Sequence, residues 1–161
     1  MDILSGLLFG LLDRLHIIAK SRPHVAVEAT HVFEDGGGSS NVGATVWNVW
    51  NDMYVKLCVT NTGAPTTIKD VYISVKDGRN EVLSFSQWKV LKHINYKLAS
   101  KSPELDRVLI GARINTNDCW GPDIVLFTAS KIIRGKSPKL PEGEKFMVVE
   151  TVGQKPVSVK L

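Results

Sequence analysis

From His24 to the C-terminus, apolar residues recur at every second position. A two-residue period places alternate side chains on opposite faces of an extended strand, so this stretch folds as sheet. In "MYVKLCVTN", Val55, Leu57 and Val59 share one face, and Lys56, Cys58 and Thr60 share the other. Further on, Val71, Ile73 and Val75 alternate with Asp70, Tyr72, Ser74 and Lys76. The runs "HVAVEATHVF", "ATVWNVW", "EVLSF", "RVLIGARI", "DIVLFTASKII", "EKFMVVETV" and "KPVSVKL" extend the series. Between them, "EDGGGSSNVG" (34–43) reads as a flexible loop, Asn51-Asp52 as a hairpin turn, and "KDGRN" and "NTNDCWGP" as further turns. Eight or nine short strands punctuated in this way predict a mainly β domain over residues 23–161, an antiparallel β-sandwich.

Two segments break the strand period. Over residues 1–22, Leu4, Leu8, Leu11, Leu15 and Ile18 stand four, three, four and three apart, the seam of an amphipathic helix. Ile3 and Leu7 widen its apolar face, while Gly6 and Gly10 weaken it by about 1 kcal/mol each relative to alanine. The segment does not read as a signal peptide, because Asp2 stands where a basic residue belongs. Its uncharged run, Ile3 to Leu12, is half the roughly 20 residues a membrane span needs. Pro23 ends it, since the residue before a proline is pushed out of helical geometry. The apolar face can pack on its own domain, on a second copy, in a partner's groove or on a membrane surface. The Ser21-Arg22-Pro23 break reads as a joint between two units, which favours attachment to something outside the sandwich. The second exception lies at 87–101, where Trp88, Leu91, Ile94 and Leu98 stand three, three and four apart beside a basic row of Lys89, His93 and Lys97. That spacing predicts a short helix inserted between strands.

The sequence argues against several chemistries. Cys58 and Cys119 stand alone, with no pairs of Cys or His at zinc-ligand spacing, so neither a metal nor any other cofactor is expected. So few cysteines suit reduced thiols and a cytoplasmic setting, with a peripheral place at the membrane as the alternative. "RGKS" (134–137) lacks the leading glycine of a phosphate loop, because Ser130 occupies that position, and Pro138 follows at once. No G-x-S-x-G elbow occurs, and no His, Cys or carboxylate pair has a catalytic spacing, so no catalytic residue is assigned. The net charge of +4 permits an anionic partner without requiring one, and nucleic acid is not expected.

Four tryptophans, Trp47, Trp50, Trp88 and Trp120, are a large complement for a small domain. Most should be core. Trp50 and Trp120 are the candidates for an exposed platform of the kind that binds a carbohydrate. The leading expectation is a non-enzymatic interaction or structural module. In that reading Leu4, Leu8, Leu11, Leu15 and Ile18 carry self-association, partner docking or attachment to a membrane surface. A carbohydrate-type ligand binder is the second expectation, and an enzyme with a dispersed site the third.

The stretch "VKLCVTNTGAPTTIKDVYISV" resembles the strand–NxG–strand signature of immunoglobulin-like modules of the bacterial cell-adhesion-related type. "LPEGEKFMVV" (140–149) is similar to their late proline–glycine turn, though Glu142 separates Pro141 from Gly143. The lead-in "DRLHIIAKSRPHVAV" resembles that of small bacterial proteins in which an apolar N-terminal helix feeds such a domain. The resemblance covers about a third of the chain and implies an antiparallel immunoglobulin-like β-sandwich with a binding or structural role and no catalytic residues. In physical terms, Gly63 is expected to supply a backbone angle that other residues resist, and Pro141 with Gly143 a tight reversal.

Overall fold

The computed structural model describes residues 22–43, 45–91, 109–135 and 139–161, apart from the side chains at 36 and 88–91. Its elements are all strands: β1 (Val25–Gly43), β2 (Val46–Asn61), β3 (Thr66–Asp77), β4 (Asn80–Leu91), β5 (Arg113–Ile114), β6 (Asp118–Arg134), β7 (Glu144–Thr151) and β8 (Val157–Lys160). Seven of them form one sheet in the order β1-β2-β6-β4-β3-β7-β8, and β5 pairs with β3 off that path. Every pairing is antiparallel. The sheet curls into a single, nearly closed barrel.

This corrects the immunoglobulin-like sandwich, and the resemblance that suggested it. The expected sandwich rested on many short strands with turns between them. Several of those turns are strand interior instead. Asn51-Asp52 lies in the middle of the 16-residue β2, and the glycine-rich 34–43 is the outer half of the 19-residue β1. The β1–β2 ladder continues to Gly43 opposite Val46, with register shifts at His31/Phe33, Asp35/Gly38 and Asn41/Gly43. In "NTNDCWGP" the strand resumes at Asp118, and the β2–β6 register shifts between Leu57 and Val59. Bulges of this kind bend a strand and sharpen its twist, so long strands can curl one sheet on itself where short ones would stack as two. The expected helix over 87–101 is likewise corrected at its start, because residues 87–91 belong to β4 and pair with β6. The rest of that expectation, and the amphipathic helix over 1–22 up to Ser21, lie outside the described residues.

The strand period itself places the core. Val55, Leu57, Val59, Val71, Ile73 and Val75 are all buried inside the barrel, with Phe85 of β4, Phe127 of β6 and Met147 of β7. Each such side chain contributes about 1.5–3 kcal/mol on full burial. Asn61 is the polar exception at one end. It is fully buried, and its Oδ1 accepts hydrogen bonds from the backbone N–H of His24 (3.1 Å) and Gly63 (3.1 Å). Its Nδ2 donates to the carbonyls of Ala64 (2.7 Å), Ile114 (3.3 Å) and Asn115 (3.3 Å). One side chain thus ties the approach to β1, the β2–β3 turn and the end of β5. Gly63 does not need a positive φ, contrary to the sequence expectation. It is required because a Cβ there would stand 2.1 Å from the Arg22 carbonyl oxygen. The same is true of Gly143, whose Cβ would meet the Lys76 carbonyl oxygen at 2.4 Å.

Candidate functional site

Among the described residues no ladder joins the two edge strands, β1 and β8, and the turn between β7 and β8 reaches β1 at the Asn61 end of the barrel. There Gln154 closes the seam against Val25, its Oε1 accepting from the Val25 N–H (2.9 Å) and its Nε2 donating to the Val25 carbonyl (3.4 Å). At the opposite end the seam is spanned by a side-chain pair, Glu34 of β1 and Lys145 of β7. Beside it opens a cavity of about 830 Å³, within the range of small-molecule pockets. Its apolar wall is Val75, Leu83 and Phe85, side chains that belong to the barrel core. Val49, Trp50 and Asn51 of β2 contribute to the lining, and the segment Leu140–Gly143 lines the side before β7.

Local sequence explains the Trp50 position. Gly38 lies opposite Trp50 in the β1–β2 ladder, and a Cβ on Gly38 would stand 2.1 Å from Cζ2 of the indole. The glycine run that reads as a loop therefore gives the ring its space. Trp50 keeps 36% of its surface exposed.

Glu34 is the electrostatic centre of the mouth. Its Oε1 accepts from Lys145 Nζ, its Oε2 accepts from Asn51 Nδ2 (3.3 Å), and His31 Nε2 stands 3.8 Å from Oε1. Burial alone would push the carboxyl up. The hydrogen bond and charge of Lys145, with help from Asn51 and His31, outweigh it and hold Glu34 below the ordinary carboxylate range. Asn51 is left with a buried Oδ1 that has no hydrogen-bond partner. A buried acceptor without a donor carries a desolvation cost that a bound donor removes. The charged lining residues, Glu34, Glu142, Lys139 and Lys145, cancel in pairs.

The residues singled out from the sequence divide accordingly. Trp50 lines this cavity. Trp120 does not join it, and the platform reading is withdrawn for that residue: it is 7% exposed and packs in the barrel core. Trp47 is half-buried and donates its Nε1–H to the Gly135 carbonyl (3.2 Å). Leu4, Leu8, Leu11, Leu15 and Ile18 lie outside the described residues. Of the basic groups, Lys139 lines the mouth, while Lys131 and Arg134 are exposed on β6. Cys58 and Cys119 are free thiols, the first half-buried and the second exposed. Among the described residues, no group of three or more His, Cys, Asp or Glu side chains is placed to hold a metal ion.

Sequence reasoning missed Glu34, Asn51 and Lys145. Glu34 and Lys145 are 111 positions apart, and the first sits in a segment whose composition signals a loop. Regular parity from Val25 would put Glu34 on the outer face; the register shift between His31 and Phe33 brings it opposite the buried Met53, and no residue pattern marks that shift. No protein-family model, curated protein or solved structure matches this chain.

Proposed function

We propose that this protein is a non-enzymatic binding barrel whose open mouth takes a neutral, hydroxyl-rich ring ligand of the saccharide class. The observations that carry the reading are the partly exposed Trp50 among the residues lining the 830 Å³ cavity and the unpartnered, buried Oδ1 of Asn51, which lines the same cavity. A sugar ring offers both complements. Its C–H face stacks on an aromatic ring, and its hydroxyls donate to an acceptor that lacks a donor. The balanced charge of the lining favours a neutral ligand over a phosphorylated one. Glu34 is held ionised by Lys145, which leaves it suited to accept a hydrogen bond and ill suited to deliver a proton near neutral pH.

Saturation-transfer NMR and calorimetry on the full chain, with maltose, cellobiose and diacetylchitobiose as probes, test this. At least one should bind with a dissociation constant of about 1 mM or tighter. Trp50→Ala should weaken that binding tenfold or more while far-UV dichroism and the melting temperature hold. Failure of all three probes to saturate at about 10 mM, or equal binding by the Trp50→Ala protein, refutes the proposal.

A further inference from the structure

Past the last β4 pairing, β1, β2 and β6 run on together as a three-stranded tongue. Among the described residues, β6 pairs with β4 as far as Thr128, and from Ala129 to Arg134 it pairs with β2 alone. On its other side β2 pairs with β1 up to Gly43, opposite Val46. The tip is tied together. The Gly135 N–H donates to the Thr45 carbonyl (2.9 Å), and Trp47 Nε1–H donates to the Gly135 carbonyl (3.2 Å). Close to this tip stand the two most exposed large hydrophobic side chains among the described residues, Ile132 at 68% and Val42 at 59%.

Charge on the tongue is one-sided. Residues 36–50 carry none, and residues 129–139 carry Lys131, Arg134, Lys136 and Lys139 with no acid. The nearest acids on β1 and β2, Asp35 and Asp52, pair with each other. Asp52 stands six residues along β2 from Val46, about 20 Å at strand rise. Register spreads apolar and basic groups over both faces. Residues paired across a ladder share a face, so Val46, Arg134, Ile132 and Trp50 lie on one, and Trp47, Ile133 and Lys131 on the other.

We propose that this tongue is a membrane-surface contact whose tip enters the headgroup layer of an anionic bilayer. A protein partner would cover one face of the sheet, whereas a bilayer surrounds an inserted tip and meets both. Val42, Ile132 and the Trp47 ring supply the apolar and aromatic contacts of an interfacial anchor. Lys131 and Arg134 meet the lipid phosphates. The bonds of Gly135 at the tip lower the cost of moving its backbone out of water. A nucleic acid would engage the cations and leave Ile132 and Val42 in water.

Sedimentation of the full chain with vesicles of equal parts phosphatidylcholine and phosphatidylglycerol tests this, beside vesicles of phosphatidylcholine alone. The chain should pellet with the mixed vesicles, less with the neutral ones, and be released as salt rises. Two variants are read separately: Ile132→Asp, and Lys131→Glu combined with Arg134→Glu. All three positions are exposed, so melting temperatures should hold. Each variant should lower the partition coefficient about tenfold or more. Failure of the unaltered chain to pellet with the mixed vesicles overturns the proposal. Undiminished pelleting of either variant also overturns it, because the membrane contact then lies elsewhere in the chain. So does a dimer in native mass spectrometry that Ile132→Asp converts to monomer, since the tongue then joins two copies. Neither variant touches the cavity lining, so saccharide binding measured in parallel separates failure here from failure of the cavity reading.

Discussion

Replacing Asn61 with alanine should be the most damaging polar substitution among the described residues. The side chain is fully buried and makes five hydrogen bonds to backbone groups of three separate segments. Three of them, at 2.7, 3.1 and 3.1 Å, have ordinary lengths, while the two at 3.3 Å share one amide with the shortest. Counting about 1 kcal/mol net for each ordinary bond gives about 3 kcal/mol. The buried Gly63 N–H then loses its acceptor, which adds about 1 kcal/mol. A loss of about 4 kcal/mol is a large part of the 5–15 kcal/mol typical of a domain, and corresponds to a melting temperature lower by about 8–16 °C. Urea unfolding followed by tryptophan fluorescence, with dichroism as a second probe of two-state behaviour, measures it. Asn61→Asp is the companion variant. Its carboxylate keeps both N–H partners but faces three carbonyl oxygens, which raises its folded-state pKa above the unfolded value. It should therefore be closest to wild type in acid and lose stability as the pH rises through that raised pKa. A loss under about 1 kcal/mol for Asn61→Ala, or an Asn61→Asp protein that gains stability with rising pH, would refute the argument.

Glu34 has the opposite linkage: its folded pKa is depressed, so its contribution is present above the ordinary carboxylate value and fades as the pH falls through the lower, folded one. Glu34→Gln should flatten that part of the acid limb in a pH series of melting temperatures; an unchanged limb counts against the Lys145 pairing. Thr151 is 3% exposed with an unpartnered hydroxyl, so Thr151→Val should raise stability by up to about 1 kcal/mol in urea, and a loss of that size would mean the hydroxyl is served. Cys119 should alkylate before Cys58, whose thiol is pushed up by burial, then by the charges of Cys119 and Glu28; mass-resolved iodoacetamide labelling with Cys58 ahead would contradict the assignment.

Alternation named the barrel lining correctly wherever strands are regular. Val55, Leu57, Val59, Val71, Ile73 and Val75 face inward as their parity requires. Parity is local, and it carries no information on whether one sheet closes on itself or two sheets stack. That choice lies in strand length and bulges, and both were hidden by turn-forming residues inside strands: Asn51-Asp52 in β2 and the glycines of β1. Trp50 was singled out by residue type alone, and its partial exposure is visible only in the structure. Trp120 was misjudged because the turn signal beside it, Gly121-Pro122, is a break within β6 rather than its end. Glu34 and Lys145 were invisible because their meeting depends on barrel curvature.

The incomplete seam also sets how stability is distributed around the wall. Among the described residues, β1 has a single hydrogen-bonded neighbour, β2, whereas β2, β6, β4 and β3 each have strands on both sides. Among the described residues, no strand pairs with the edge of β1 that faces away from β2. Opening there breaks one ladder and leaves the Phe85–Phe127–Met147 centre packed. Amide exchange should accordingly run as a gradient around the circumference, fastest along 29–35 and slowest in β4 and β6. The barrel then breathes along one line of its wall, and that line leads into the cavity.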